Sequence, residues 1–295
     1  MALRITVDVF SGRPNPVVTL DDQAAAEVLE RVRPSSRLDA KETEPPPPAI
    51  LGYRGVIVEQ VGQATRGLPG QFRIVDGKLF GQRLAHRPAD PNVEDFITGP
   101  SGPLRLLPLE PEVQNRLQER IQERKEVDWR GLARKSRQAR APRARKCRCA
   151  PLYEPDWWND GGYRQFNNNC YNYATNYRTN TFAQPGLASG EMYTSIRCTP
   201  VRKAAVADRL ISTPNADNKC PDEGHLVALV VGRDFDFHWY RKGRNGYWTH
   251  KPGGTEVTDV DNSGDPIADP RNADRDGYTS FCTFMVVMHG HVKIK

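Results

Sequence analysis

A cysteine behind a run of asparagines carries the clearest chemical signal in this sequence. Residues 167–177 read Asn-Asn-Asn-Cys-Tyr-Asn-Tyr-Ala-Thr-Asn-Tyr, so an Asn cap would leave Cys170 in the first turn of a helix. Free backbone N–H groups and the positive end of the helix dipole stabilise a thiolate at that position. Because the thiolate is the nucleophilic form of cysteine, the pattern predicts a thiol enzyme.

Three histidines follow on three predicted strands. His225 opens a Val-rich apolar run, which is typical of a buried strand. His238 and His250 flank the segment Gly-Arg-Asn-Gly at 243–246, and Asn-Gly between alternating aromatic segments is a strong hairpin signal. A turn centred between 244 and 245 pairs position 238 with 251 and position 239 with 250. One bulged residue would place His238 and His250 opposite each other, so the two are predicted to be neighbours.

This order of residues resembles the papain-like cysteine peptidase superfamily, in particular the NlpC-type peptidases and amidases, over about residues 160–285. The quoted matches are Cys170, His225 in Gly-His-Leu-Val-Ala-Leu-Val-Val-Gly, and His238 in Phe-His-Trp-Tyr. The resemblance implies a papain-like α+β domain in which the Cys-bearing helix packs on an antiparallel sheet. It also implies a hydrolase that cleaves an amide bond, of a peptide or of peptidoglycan, through a Cys-His acyl-enzyme.

Two assignments of the catalytic base remain open. In the first, which the resemblance implies, His225 takes the thiol proton and later protonates the leaving amine, while His238 holds the ring of His225 in the useful tautomer. In the second, His238 is the base. Its orienting residue is then His250 or one of the polar side chains at Asp259, Asp261 and Asn262.

The oxyanion donors are expected just before the cysteine. Many members of the resembled superfamily place a Gln there, and in this sequence Gln165 and the three residues Asn167, Asn168 and Asn169 are possible substitutes. The backbone N–H of Cys170 would be the second donor. Aromatic cleft walls are expected from Trp157, Trp158, Tyr163, Trp239, Tyr240 and Trp248, several of which must also serve the core.

Other functions fit the same residues. Cys170 could be a small buried residue on a helix face with Tyr173, Ala174 and Tyr177, in a catalytically silent binding or structural module. A transglutaminase or deamidase would use the same Cys and His, because the acyl-enzyme chemistry is shared. The expected partner of the enzyme is a peptide or protein substrate.

The remaining cysteines bear on metal and redox chemistry. Cys147 and Cys149 stand too close for the usual zinc spacing, although Cys198 and Cys220 could complete a tetrahedral site with them. A bridge between Cys198 and Cys220 is an alternative, and it would imply an oxidising destination. Cys282 is expected in the core. No cofactor is expected.

Composition divides the chain into three parts. Residues 1–110 are predicted to form a small α+β domain, with strands over 5–10, 55–61, 72–75 and 78–80 and a helix over 24–32 capped by Asp21 and Asp22. Residues 111–150 hold a helix from Pro111 to Lys125 and a basic linker, and residues 151–295 are the hydrolase domain. Arg13, in the turn Ser-Gly-Arg-Pro-Asn-Pro at 11–16, is expected to be a solvated turn residue.

The basic linker carries nine positive charges and no acid over 130–148, which exceeds the net charge of +6 of the whole chain. Such runs are solvated linkers more often than nucleic-acid-binding arms, and no recognition fold accompanies this one. A linker of this kind is also readily cut, so residues 1–146 could be a propeptide removed on activation.

Two further patterns concern a calcium-type loop and the amino terminus. Asp259, Asp261, Ser263 and Gly264 occupy positions one, three, five and six of a calcium loop, but Pro270 stands where Glu is required, which favours an Asx-rich turn. The amino terminus alternates like a strand and lacks the apolar core of a secretory signal, and no stretch is apolar enough to span a membrane. A cytoplasmic protein, or a toxin or effector exported without a cleavable signal, is therefore expected.

Overall fold

The chain folds into two compact units. The computed structural model describes residues 2–37, 49–62, 65–81, 84–107, 109, 111–125, 147–213 and 217–295. Unit 1 comprises Met1–Val9, Asn15–Pro47 and Tyr53–Val127, and unit 2 comprises Phe10–Pro14, Pro48–Gly52 and Asp128–Lys295. Both combine helices with antiparallel strands, which confirms the predicted α+β class. Residues 10–14 belong to unit 2 although they lie inside the predicted amino-terminal domain.

Unit 1 is an antiparallel sheet with helices. The described elements are β1 (Ala2–Val7), β2 (Val17–Leu20), α1 (Asp22–Val32), β3 (Pro34–Arg37), β4 (Val56–Val61), β5 (Gln71–Val75), β6 (Lys78–Gly81), β7 (Leu84–Pro88), α2 (Val93–Thr98), a 3-10 helix (Pro103–Leu106) and α3 (Pro111–Lys125). The strand order is β2-β1-β4-β5-β6-β7-β3. Buried and exposed side chains alternate along β1. Leu3, Ile5 and Val7 are fully buried, while Arg4 between them is exposed.

The two helices predicted in unit 1 are present as α1, which begins at Asp22 instead of Ala24, and α3. The side chain of Asp21 accepts a hydrogen bond from Ala24 N at 2.9 Å and so caps α1. The helix α3 has the predicted bounds and buries Leu117 and Ile121. The basic run from 130 to 146 and the stretch Glu44–Pro48 lie outside the described residues. Processing and nucleic-acid binding through that run therefore stay predictions.

Unit 1 also buries a charge cluster. Asp8 is fully buried, with Oδ1 at 2.7 Å from Nη2 of Arg54 and Oδ2 at 2.7 Å from Nη1 of Arg73. Burial alone would raise the pKa of Asp8, but the two guanidinium groups outweigh it and hold the pKa below its usual value. The cluster therefore carries fixed charges that compensate one another.

Unit 2 packs short helices on a second antiparallel sheet. The described elements are α4 (Pro155–Trp158), α5 (Tyr163–Phe166), α6 (Cys170–Thr175), α7 (Cys198–Ala207), β8 (Ile211–Ser212), β9 (His225–Gly232), β10 (Asp236–Lys242), β11 (Trp248–His250) and β12 (Ser280–Val287). The strand order is β11-β10-β9-β12-β8. No described helix has the length and apolar character to cross a membrane.

The central strand β9 is buried along its whole length, as its unbroken apolar run predicts. Val227, Leu229 and Val231 pack on the side that holds Cys170, while Leu226 and Ala228 pack against the opposite core. Because both faces of β9 are buried, its sequence does not alternate between apolar and polar residues. The helix α6 lies against β10, next to β9.

The hairpin of β10 and β11 differs from prediction by one residue. Tyr240, and not Trp239, stands opposite His250, and Lys242 pairs with Trp248. The shift arises because Gly243 N donates to Tyr247 O and Gly246 N to Gly243 O, which places the turn one residue later. His238 and His250 are consequently diagonal neighbours on one face, which keeps them in contact.

Candidate functional site

The helix start at Cys170 is built by two asparagines. Oδ1 of Asn169 accepts from Tyr171 N and Asn172 N, both at 3.1 Å, and Oδ1 of Asn172 accepts from Asn169 N at 3.1 Å. These reciprocal bonds form a capping box and satisfy the free N–H groups of the first turn. The predicted cap is confirmed, and Cys170 is the first residue of α6.

This conformation favours the neutral thiol of Cys170 over the predicted thiolate. Cys170 is fully buried, and burial raises the pKa of its thiol, as does the nearby Asp236. A backbone hydrogen bond from Trp239 and the nearby Ser11 side chain lower that pKa, but not enough to offset burial. The six-residue helix cannot compensate for complete desolvation, so Cys170 is a neutral thiol here.

A line of hydrogen bonds runs from the side of this thiol through two histidines. The Ser11 hydroxyl lies 2.5 Å from Nδ1 of His238, and Ser11 O lies 3.5 Å from Cys170 N. Nε2 of His238 lies 2.9 Å from Nδ1 of His250, and Nε2 of His250 lies 2.9 Å from Val260 O. Both rings are fully buried. The two histidines are therefore neighbours, as predicted.

The end of this line fixes the tautomers. Val260 O can only accept, so Nε2 of His250 carries a hydrogen and Nδ1 of the same neutral ring accepts one. His238 must then donate from Nε2 to His250, which leaves Nδ1 of His238 as an acceptor for the Ser11 hydroxyl. The basic nitrogen of His238 thus faces the Ser11 hydroxyl.

His225 lies elsewhere. Its Nε2 is 2.7 Å from Ala174 O, near the other end of α6, and burial lowers its pKa to about 3. The two ring nitrogens of His238 are bonded to Ser11 and His250, so His238 does not orient His225. The first assignment is wrong because the start of β9 lies at the far end of the helix. The geometry agrees with the second assignment, with His250 as the orienting residue.

Two side-chain amides converge on one main-chain carbonyl beside the thiol. Nδ2 of Asn169 and Nε2 of Gln184 each lie 2.8 Å from Gly12 O, and Cys170 N lies 3.5 Å from Ser11 O. Asn169 was a predicted oxyanion donor. Gln165 was another, but its Oε1 accepts from Gly161 N at 3.0 Å. Nothing in the sequence distinguishes Gln184 from other loop glutamines.

Asp236 was also missed by sequence reasoning. Its buried carboxylate accepts from Ser11 N at 2.5 Å, Gly12 N at 3.3 Å and Arg13 N at 3.0 Å, and from the Tyr278 hydroxyl. Burial raises the pKa of Asp236, and these donors act in the opposite direction. Arg13 is therefore not a solvated turn residue, and Nη1 of its side chain donates to Phe235 O at 3.1 Å. No sequence signal joins residues about 225 positions apart.

Gly12 is sterically obligatory. A Cβ placed there would stand 2.4 Å from the Phe237 ring and 2.4 Å from Phe237 O. Such a contact is far inside van der Waals distance, so any side chain at position 12 must displace the segment or the strand β10. The φ angle of Gly12 is not the reason; the close approach to Phe237 is.

Lys251 completes the surroundings. It is fully buried, and Nζ donates to three carbonyls, Gln165 O at 2.7 Å, Gly253 O at 2.8 Å and Thr255 O at 2.7 Å. This arrangement fixes the loop after β11, whose Gly253 N reaches the Ser11 hydroxyl at 3.2 Å. A lysine that followed His250 in sequence was not expected to be structural.

The comparisons with known proteins add one relative. No family model matches the chain, and no solved structure matches it. Insoluble matrix shell protein 1 from Ruditapes philippinarum is 46% identical over 141 residues, which is 47% of this chain and 91% of the relative. The chain belongs to the insoluble matrix shell protein 1 family.

This member of the insoluble matrix shell protein 1 family has two disulfides in unit 2. Cys147 is bonded to Cys220 and Cys198 to Cys282, so the suggested Cys198–Cys220 bridge is wrong. Cys198 begins α7, which packs against the strand β12 that carries Cys282. The zinc alternative fails because three of its four thiols are in disulfides. Cys149 is exposed and Cys170 buried, and both are free.

In this family member the suggested calcium loop is a turn. Oδ1 of Asp261 accepts from Ser263 N and Asp265 N, both at 3.0 Å, and Oδ2 accepts from Asp274 N at 2.9 Å. The Ser263 hydroxyl donates to Asp274 at 2.6 Å. These bonds make the Asx-rich turn that the sequence favoured. Asp259 lies beside it, and burial raises its pKa.

The aromatic residues proposed for a cleft divide into two sets. Trp158, Trp239, Tyr240 and Trp248 are in the core, and only Trp157 and Tyr163 are exposed. Trp157 lines a shallow surface depression together with Tyr153 and Arg178, whose guanidinium stands 3.9 Å from the centre of the Trp157 ring. This depression does not include the line of histidines, and Trp239 packs in the core cluster that contains Cys170.

Proposed function

We propose that unit 2 is a papain-like thiol hydrolase in a closed state, with Cys170 as nucleophile, His238 as base and His250 as the residue that orients it. The observation that carries the proposal is the line of hydrogen bonds from Ser11, whose carbonyl lies 3.5 Å from Cys170 N, through His238 to His250 and Val260 O. The capped helix start and the adjacent amides of Asn169 and Gln184 are consistent with it.

The chemistry follows from the tautomers. With a peptide carbonyl in place, the Cys170 proton passes to Nδ1 of His238, and the thiolate forms a C–S bond to the carbonyl carbon. The charge on His238 is shared with His250 through the Nε2–H bond, and the carbonyl oxygen is stabilised by the side-chain amides. The C–N bond then breaks as His238 returns the proton to the leaving amine. Water hydrolyses the thioester with His238 again as base.

In the closed state the same groups are inactive. Nδ1 of His238 is occupied by the Ser11 hydroxyl, and Cys170 is inaccessible. Activity therefore requires residues 10–14 to leave. After acylation the thioester can react with water or with an amine. Water makes the enzyme a hydrolase, and an amine makes it a transglutaminase.

The test is acylation of Cys170 in the full chain. The Gly12→Ala variant, which displaces the segment, is incubated with the p-nitrophenyl ester of acetylglycine, and intact mass and ester turnover are followed. We expect a Cys170 acyl adduct that turns over, absent in Gly12→Ala/Cys170→Ser and formed about a hundredfold more slowly with His238→Gln. His225→Gln is the matched control and should stay within about twofold. An accessible Cys170 that never acylates would sink the proposal.

A second candidate function is a structural component of an insoluble extracellular matrix. The name of the relative and the two disulfides favour it, because disulfides persist in oxidising, extracellular settings. In that case Cys170 is a core residue. Sedimentation of the oxidised full chain with powdered calcium carbonate or chitin tests this candidate. Sedimentation of the chain with either powder, unchanged in Cys170→Ser, would support this candidate. A chain that stays in the supernatant with both calcium carbonate and chitin would argue against it.

A further inference from the structure

Residues 10–14 are held in unit 2 in the manner of a bound peptide. The three successive N–H groups of Ser11, Gly12 and Arg13 are bonded to the Asp236 carboxylate. The carbonyls of Ser11 and Gly12 accept from Cys170 N and from the amides of Asn169 and Gln184. Main-chain groups are thus matched on both sides, and the chain bends at residues 11–13 so that three successive N–H groups reach one carboxylate.

Side-chain selection is concentrated at the third position of the segment. Gly12 passes over Phe237 so closely that a Cβ would lie 2.4 Å from the ring. Phe10 contributes an edge contact, its ring centroid 5.1 Å from that of Phe235, and the Arg13 guanidinium lies 4.7 Å above the Phe10 ring. Only the glycine position is closed to every other residue.

The segment also stands at the reacting groups of the proposed enzyme. Cys170 N lies 3.5 Å from Ser11 O, the Ser11 hydroxyl lies 2.5 Å from Nδ1 of His238, and Gly12 O meets the two side-chain amides that would stabilise an oxyanion. An occupant with this path enters where a substrate peptide would lie. The groove contacts the segment through its main chain, the glycine, the Ser11 hydroxyl and the side chains of Phe10 and Arg13.

We propose that this groove is a binding site for peptides that bend as residues 11–13 do and carry glycine at the position of Gly12, and that residues 10–14 are its built-in occupant. The ligand class is a peptide of the pattern aromatic, small polar, Gly, basic. As a statement about substrate this inference rests on the proposed function. As a statement about binding it stands on the groove alone.

The first experiment measures whether the segment covers the thiol. The full chain is treated with iodoacetamide without reductant and followed by intact mass. Cys149 is exposed and free, so it labels in every variant and serves as an internal reference. We expect one label on the native chain and a second, on Cys170, in Gly12→Ala, with Cys170 labelled about tenfold to a hundredfold faster than in the native chain. Gly12→Val should be faster still.

Gly70→Ala is the matched control, because a Cβ there meets nothing within 4 Å. It should label once, like the native chain. A folded Gly12→Ala and Gly12→Val pair in which Cys170 stays protected would overturn the inference, since the thiol would then be buried by the core and not by the segment. Circular dichroism and an unchanged Cys149 rate establish that the variants are folded.

The second experiment adds the occupant back. The synthetic peptide Phe-Ser-Gly-Arg-Pro, which copies residues 10–14, should slow Cys170 labelling of Gly12→Ala in a saturable way, while Phe-Ser-Ala-Arg-Pro should not. Equal protection by the two peptides, or protection by neither, would contradict the glycine preference. These outcomes concern binding and differ from failure of the proposed function, in which the Gly-containing peptide protects an accessible Cys170 that never acylates.

Discussion

Each unit of this protein buries a polar cluster, and the two clusters are built on opposite principles. In unit 1 the Asp8 carboxylate is compensated by two guanidinium groups, all of them charged and buried. In unit 2 the Ser11 hydroxyl and two imidazoles form a line of hydrogen bonds that ends on Val260 O. The comparison separates a cluster held by compensation of charge from one held by directed hydrogen bonds.

The largest effect is expected from Asp8→Asn in unit 1. The variant leaves two guanidinium groups buried without their shared carboxylate, and breaking a buried pair in this way costs about 3–5 kcal/mol. Chemical unfolding monitored by circular dichroism measures the loss. Glu59→Gln, which removes an exposed partner of Arg4, is the control and should cost less than about 1 kcal/mol. Similar losses in the two variants would mean that the buried cluster is not what stabilises unit 1.

A smaller effect is expected from Ser11→Ala in unit 2. The change removes the donor to Nδ1 of His238 and the acceptor of Gly253 N, both buried. Loss of such a partner costs about 1–3 kcal/mol, less than the ion cluster because no net charge is stranded. The same unfolding assay reads it, with the exposed Thr194→Ala as control. If Ser11→Ala lowered the free energy of unfolding by more than Asp8→Asn does, the hydrogen-bonded line would stabilise the fold more than the ion cluster, contrary to this expectation.

The smallest effect is a pH dependence at His225, outside the line. Burial lowers the pKa of His225 from 6.5 to about 3, so the unfolded chain binds a proton there more readily than the folded one. The stability that this group contributes is present above pH 6.5 and is lost as the pH falls towards 3. Between pH 8 and pH 5.5 the loss is about 1.4 kcal/mol.

The free energy of unfolding of the native chain and of His225→Gln, measured at the two pH values, gives this contribution as a difference. We expect the variant to lose about 1.4 kcal/mol less than the native chain over that interval. His291→Gln, at an exposed site, should behave like the native chain. An identical pH dependence in all three proteins would show that His225 titrates alike in the folded and unfolded chains.

Local sequence determined the elements around the site. The asparagine cap, the buried Val-rich strand and the Asn-Gly hairpin depend on residues within a few positions of each other, and all three are present where the patterns predicted them. The helix α3 was predicted with its observed bounds for the same reason. The predicted pairing of β10 with β11 was wrong by a single residue, because the Asn-Gly pattern predicted the turn but not its type.

Tertiary structure decided which groups meet. His225 matched the resembled pattern best, yet the direction of β9 placed it at the far end of α6, while His238 and His250 came together through strand pairing. The disulfide partners and the contacts of residues 11–13 with Asp236 join positions from about 70 to 225 apart, and no local signal encodes such a pairing. Complete burial, set by the whole core, then overrode the helix start and made Cys170 a neutral thiol. Sequence fixes propensities within a few residues, whereas burial and long-range contacts, which set pKa values and partners, exist only in the assembled fold.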